Sequence, residues 1–80
     1  MREGGVLMSV SKAIKQRLID LNMTQVELAE AIGSTRQNLS NKLVRDNFTA
    51  KELSKICDVL KLTIVLKSAD KKEYEVKYID

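Results

Sequence analysis

The sequence contains no histidine, no proline and no tryptophan, and only one cysteine and three glycines in 80 residues. Without histidine, no side chain has an ordinary pKa suited to a general base near neutral pH. No nucleophile–base pair is visible. Glu52 and Asp58 have no carboxylate partner at a defined spacing, so no catalytic residue is assigned. The lone cysteine, Cys57, cannot close an internal disulfide, and no Cys/His cluster is available for zinc, so neither metal nor cofactor is expected. An unpaired thiol that reads as a small apolar core residue fits a reducing compartment, and the expected location is the cytoplasm. No apolar run approaches the roughly 20 residues of a membrane span, and no secretory apolar segment is present.

What is present sets a size and a charge. Eighty residues make one domain, and a 44% hydrophobic content is ordinary for a globular chain. The net charge of +3 is a mild basic bias, which permits a polyanionic partner without requiring one. Residues 1–8 have no periodicity and include Gly4-Gly5; they are expected to form a disordered leader ahead of a single domain over residues 9–80. Arg2-Glu3-Gly4-Gly5 can be written in purine-rich codons like those of a ribosome-binding site, which makes Met8 an alternative start.

From Ser9 the apolar spacing is helical. Val10, Ile14, Leu18 and Leu21 recur three or four apart, with Lys12, Lys15 and Arg17 read as a solvated face. Thr24 and Glu27 make a capping box for a second helix, whose apolar residues are Val26, Leu28, Ala29 and Ile32 and whose end is Gly33. Ser34, with Gln37 three residues on, reads as the cap of a third helix, in which Leu39 and Leu43 share one face and Arg36, Gln37, Ser40 and Asn41 the other. Arg45-Asp46-Asn47 reads as a turn. Thr49 and Glu52 form a further capping box, opening a helix through Leu53, Ile56, Cys57 and Leu60, with Phe48 as a hydrophobic staple against Leu53.

After Lys61 the period changes to two. Leu62, Ile64 and Leu66 alternate with Thr63, Val65 and Lys67; Tyr74, Val76 and Tyr78 alternate with Glu75, Lys77 and Ile79. Centred on Asp70, the hairpin pairs Leu66 with Tyr74, Ile64 with Val76 and Leu62 with Tyr78, so that all share one face and Lys67 meets Glu73. An isolated hairpin is marginal in water, so that face is expected to cover the helices of its own chain or to meet a second subunit.

The second and third helices leave no room for a loop at Ile32-Gly33-Ser34. Such a junction crosses two helices steeply, with Ala29 small at the close approach, Gly33 in a left-handed backbone and Leu39 filling the pocket between them. The segment Thr24-Gln25-Val26-Glu27-Leu28-Ala29-Glu30-Ala31-Ile32-Gly33-Ser34-Thr35-Arg36-Gln37-Asn38-Leu39-Ser40 resembles the Cro/repressor-type (XRE) helix-turn-helix family, and the resemblance extends over roughly residues 9–60. It departs from many members in having Lys42 where they are apolar, with Leu43 one residue later.

The resemblance implies a mainly α fold, a four-helix lambda-repressor-like DNA-binding domain followed by a C-terminal β-hairpin. It implies base reading by Thr35, Arg36, Gln37, Ser40 and Asn41 from the third helix. Arg36 suits guanine and Gln37 adenine. It also implies phosphate contacts by Gln25, Ser34, Asn38, Lys42 and Arg45, which position the protein without reading sequence. Gln37 has two competing uses, as a cap for Ser34 or as a base reader, and the base-reading use is favoured. The function expected is that of a bacterial or phage transcriptional regulator, most simply a repressor. It would bind double-stranded DNA at a palindromic operator as a homodimer, with the hairpin residues Leu62, Ile64, Leu66, Tyr74, Val76 and Tyr78 serving either as the dimer contact or as packing on the chain's own helices. The alternative is an antitoxin-like module whose hairpin holds a partner protein. Tyr74 and Tyr78 are read as sheet packing rather than base stacking, since they belong to the apolar strand face.

Overall fold

A computed structural model of the protein describes residues 7–78. Residues 1–6 of the expected leader, and Ile79 of the expected second strand, lie outside the described residues; Leu7 and Met8 are exposed and carry no regular structure. The described elements are α1 (Val10–Asp20), α2 (Gln25–Ala31), α3 (Arg36–Arg45), α4 (Ala50–Leu60), β1 (Ile64–Lys67) and β2 (Glu73–Val76). The mainly helical fold with a C-terminal hairpin is therefore as expected.

Each helix is bounded by local chemistry. The hydroxyls of Ser9, Thr24, Thr35 and Thr49 accept from the third backbone N–H of the helix that follows. At Thr24 and Thr49 the reciprocal bond is also made: the threonine backbone N–H donates to the carboxylate of Glu27 at 2.8 Å and of Glu52 at 2.8 Å. The third helix starts one residue later than expected. Its cap is Thr35, whose Oγ1 accepts from the Asn38 N–H at 3.1 Å, and no Ser34–Gln37 box forms. Ser34 is occupied in closing the helix before it: its N–H donates to the Ala29 carbonyl at 2.8 Å, while the Gly33 N–H donates to Glu30 at 3.2 Å. This pair of bonds is a Schellman motif, and it places Gly33 at φ +73°. A Cβ on Gly33 would meet nothing within 4 Å, so the requirement for glycine comes from the backbone angle alone. Asn22 closes α1 in the same way at φ 55°, with the Met23 N–H on the Leu18 carbonyl.

The core is made by Ile14, Leu18, Leu28, Ala29, Leu39, Leu43, Ile56 and Leu60, with Met23, Ile32, Phe48, Leu53, Val59 and Leu62 packed around it. Cys57 is buried, as expected of a core residue, and burial, with Asp58 nearby, pushes its thiol pKa up. Val26, expected to be buried, is exposed. It lies about 110° around the helix from the centre of the stripe formed by Leu28, Ala29 and Ile32. Val10 and Leu21 lie at the two ends of the α1 stripe and remain exposed.

Two long-range bonds fix α1 against the other helices. The Ser11 N–H donates to Asp46 Oδ1 at 2.8 Å, holding α1 to the left-handed residue that ends α3. Arg17, read from the sequence as solvated, is half-buried and donates through Nε to the Leu60 carbonyl at 2.9 Å. It thus satisfies a backbone acceptor at the end of α4, where a cation is also favoured by the helix dipole.

The hairpin has the expected register: Ile64 opposite Val76, Leu66 opposite Tyr74 and Lys67 opposite Glu73. The expected Leu62–Tyr78 pair is not part of the ladder. Leu62 donates its N–H to the Cys57 carbonyl at 2.9 Å as α4 closes, and Tyr78 donates its N–H to Ser54 Oγ at 2.9 Å. Both ends of the ribbon are therefore drawn onto α4, and Lys77 adds an ion pair to Asp58 at 3.3 Å. Only the base of the hairpin is covered. Ile64 is half-buried, while Leu66 and Tyr74 near the turn are 61% and 54% exposed.

Burial predicts unequal costs for two apolar truncations in α2. Leu28, 0% exposed, is expected to lose about 2–5 kcal/mol on Leu28→Ala, whereas exposed Val26→Ala should stay within about 0.5 kcal/mol. Urea unfolding of the two variants checks this; equal costs would contradict the packing described.

Candidate nucleic-acid interface

The Schellman turn at Gly33 brings α2 and α3 into contact across Ala29 and Leu39, which are 1% and 2% exposed. Leu39 and Leu43 seal one side of α3 into the core, and the opposite side stands in solvent. At 100° per residue, Gln37, Ser40, Asn41 and Val44 fall within one 100° sector of that open side, while Arg36, exposed at the first turn, lies nearer the row of Leu43. Arg36, Gln37 and Asn41 are exposed, and Ser40 is half-buried at the edge.

Gln37 makes a bond that neither sequence expectation named. Its Nε2 donates to Asn41 Oδ1 at 3.3 Å, one turn ahead along the exposed face. With the cap assigned to Thr35, Gln37 is not turned back toward Ser34. The bond leaves the Gln37 carbonyl and an Asn41 N–H unused, an acceptor and a donor side by side. That is the chemistry needed to grip the edge of adenine. Thr35 Oγ1 is engaged as acceptor by the Asn38 N–H, while its hydroxyl proton stays free to donate outward.

The residues expected to touch phosphate are gathered together, with one exception. Ser34, Asn38, Lys42 and Arg45 line one groove of about 440 Å³ between the helix-turn-helix and the start of α4. Asn47 and Lys55 join them, and Phe48 and Ile56 form apolar wall. Gln25 stands apart, half-buried at the first position of α2. The sequence reading missed Asn47 and Lys55, since each lies on a different element from the motif. The one legible signal was Lys55, three residues beyond the Glu52 of the last capping box.

Lys42 does not stand free. Its Nζ lies 2.7 Å from Glu52 Oε2 across the groove. The Lys42 ammonium, with the Thr49 N–H, holds the Glu52 carboxyl below its ordinary pKa. Glu52 would repel an incoming phosphate, and Lys42 offsets that charge where it sits. The departure at this position thus has a structural account: Leu43 supplies the apolar contact, 3% exposed, and Lys42 turns to the neighbouring helix.

A family model for the Cro/C1-type helix-turn-helix DNA-binding domain matches residues 13–65, from within α1 into β1. The chain belongs to this family. No curated protein and no solved structure gave a match. As a Cro/C1-type domain the protein binds DNA and takes part in transcription regulation, with α2 and α3 as its helix-turn-helix. No helix among the described residues is long and apolar enough to cross a membrane.

The Lys42–Glu52 pair sets an acid dependence. Because folding lowers the Glu52 pKa, the ionised form is favoured in the folded state. That contribution is complete above the ordinary carboxylate pKa and disappears as pH falls through the lowered value. The effect is modest because both side chains remain partly solvated. Glu52→Gln is expected to make the urea midpoint fall less steeply between neutral and acid pH than in the unsubstituted protein; an unchanged slope would count against the pairing.

Proposed function

We propose that this Cro/C1-type domain is a sequence-specific regulator that binds a palindromic operator in double-stranded DNA as a homodimer and acts as a repressor. The observation that carries the reading is the exposed polar surface of α3, where Arg36 at the first turn and Gln37 and Asn41 on the outer side stand in solvent on a helix anchored by Leu39 and Leu43. An α-helix fits the major groove, and an N-terminal arginine and amides match the donor and acceptor patterns of guanine and adenine. Thr35 and Ser40 complete the base-reading set. The Ser34–Asn38–Lys42–Arg45 groove, with Gln25 beyond the turn, takes the flanking phosphates.

One such helix reads too few bases to be selective, since each mismatch costs about 1–3 kcal/mol. Two copies on half-sites roughly 34 Å apart supply the rest. The hairpin face of Leu66, Tyr74, Val76 and Tyr78 is exposed and apolar, which suits a symmetric contact between copies, with Ile64 and Leu62 packed at its base. Occupation of a promoter by such a dimer excludes polymerase, which is the simplest route to repression. The same open face favours a second reading, in which the hairpin holds a partner protein as an antitoxin does.

Two measurements test these readings. Arg36→Ala or Gln37→Ala should cost about 1–3 kcal/mol on a site selected from random duplexes and relax one base preference. Arg45→Ala should instead weaken all duplexes alike and flatten the salt slope by about 0.9. Equal losses on every duplex for all three variants would remove base reading from α3. For the hairpin, Tyr74→Lys is expected to convert a dimer to a monomer in sedimentation while leaving the helical circular dichroism intact. A dimer that survives this change does not use the hairpin; a protein monomeric without the change leaves the partner-protein reading in possession of that face.

A further inference from the structure

The reading face of α3 carries one residue that neither the sequence motif nor the phosphate groove accounts for. Val44 is 80% exposed, more than any other large apolar residue in the four helices. It lies seven residues after Gln37, four after Ser40 and three after Asn41, so it shares their side of the helix. Measured around the axis it falls between Ser40 and Gln37, near the middle of the open sector rather than at its edge. The core does not call for it, because Leu39 and Leu43 already close the inner side. Helix formation does not call for it either: a β-branched side chain is a poorer helix former than lysine, glutamate or alanine at an exposed site.

The last turn of α3 is also held firmly. Asp46, the left-handed residue that ends the helix, accepts from the Ser11 N–H, and Lys42 is fastened to Glu52. Val44 is therefore presented at a fixed height on a braced helix. It stands about 12 Å along the axis from Arg36 at 1.5 Å per residue. A helix lying in the major groove is inclined to the duplex axis, so at roughly 3.4 Å of rise per base pair this separation spans at most three or four pairs from whatever Arg36 reads. The one apolar feature a base edge offers in the major groove is the C5 methyl of thymine.

We propose that Val44 is a specificity-determining residue, packing its two methyl groups against a thymine methyl at the end of the half-site away from the Arg36 contact. This rests on the reading of α3 as the base-reading helix. The selectivity it adds is for thymine over cytosine and over any base lacking the methyl. It requires no hydrogen bond, and it complements the adjacent Gln37–Asn41 amide pair, which suits adenine.

The experiment uses the full chain and a duplex site obtained by selection from random DNA. Each thymine of that site is replaced in turn by deoxyuridine, which removes only the methyl group. For the unsubstituted protein, one exchange in each half-site is expected to weaken binding about fourfold, as for loss of one buried methyl. Val44→Ala should bind the thymine site about fourfold less well and no longer distinguish deoxyuridine there, whereas Gln37→Ala should retain that distinction. Insensitivity of the unsubstituted protein to every exchange overturns the proposal, as does full sensitivity retained by Val44→Ala. A Val44→Ala protein that changes oligomeric state instead of thymine discrimination overturns it too, by making Val44 an interface residue. In all these cases base reading by α3 survives if Gln37→Ala still relaxes a preference. If selection yields no preferred sequence at all, that underlying reading fails as well.

Discussion

The arrangement that makes α3 usable depends on one backbone angle, the left-handed φ of +73° at Gly33. With that angle, Ser34 can donate to Ala29 and Gly33 to Glu30, so α2 ends within a single residue and α3 begins almost at once. Because the turn is tight, Ala29 has to be small and Leu39 has to fill the wedge, and both are almost fully buried. Space is not the constraint at Gly33, since a Cβ there meets nothing. The cost of another residue would be conformational, of order 1 kcal/mol for most side chains, and it would fall on the crossing geometry as much as on stability.

The same turn divides labour between neighbouring hydroxyl residues. Ser34 completes the exit of α2 through its backbone, and Thr35 caps the entry of α3 through its side chain. That one-residue handover frees Gln37 from capping and lets it join Asn41 on the exposed side. Further along, the helix exchanges one apolar contact for an ionic one: Lys42 leaves the core side to Leu43 and neutralises Glu52. Glu52 thus serves both the capping box of α4 and the lining of the groove beside α3. The Lys42 ammonium offsets the negative charge that this cap would otherwise bring to a groove proposed to take phosphates.

Much of this was legible in the sequence where the signal is local. Helix starts at Thr24 and Thr49, the glycine stop and the hairpin register from Ile64 to Lys67 all depend on residues a few positions apart, and all are found. The start of α3 was missed by one residue because Ser34 and Thr35 are both good caps. The choice between them is made by the Schellman closure of the preceding helix, a backbone event with no side-chain signature. What the sequence hid was contact at a distance: Ser11 with Asp46, Arg17 with Leu60, Lys42 with Glu52 and Ser54 with Tyr78. Arg17 looked like part of a solvated face because its neighbours Lys12 and Lys15 are; only the packing of α1 on α4 places a carbonyl within its reach. Val44 was passed over for a related reason: apolar residues were counted toward the core, and a valine on the polar side fits no core stripe.

The partly uncovered hairpin ties the proposed dimer to the energetics of the whole chain. A small core leaves little margin, and Leu66 and Tyr74 stay in water in the single chain. If two copies cover that face, folding, pairing and operator binding draw on one another by mass action. Each subunit gains stability from its partner, and each half-site gains affinity from the other. Occupancy then rises more steeply than the first power of protein concentration, because dimer formation precedes or accompanies binding. Such a regulator needs no bound effector to respond sharply; a change in its own abundance suffices. In the partner-protein reading the steepness would instead follow the supply of whatever competes for the hairpin. Both readings place control on the β-ribbon, away from α3, so the residues proposed to read bases and those proposed to set the threshold lie on separate elements of the fold.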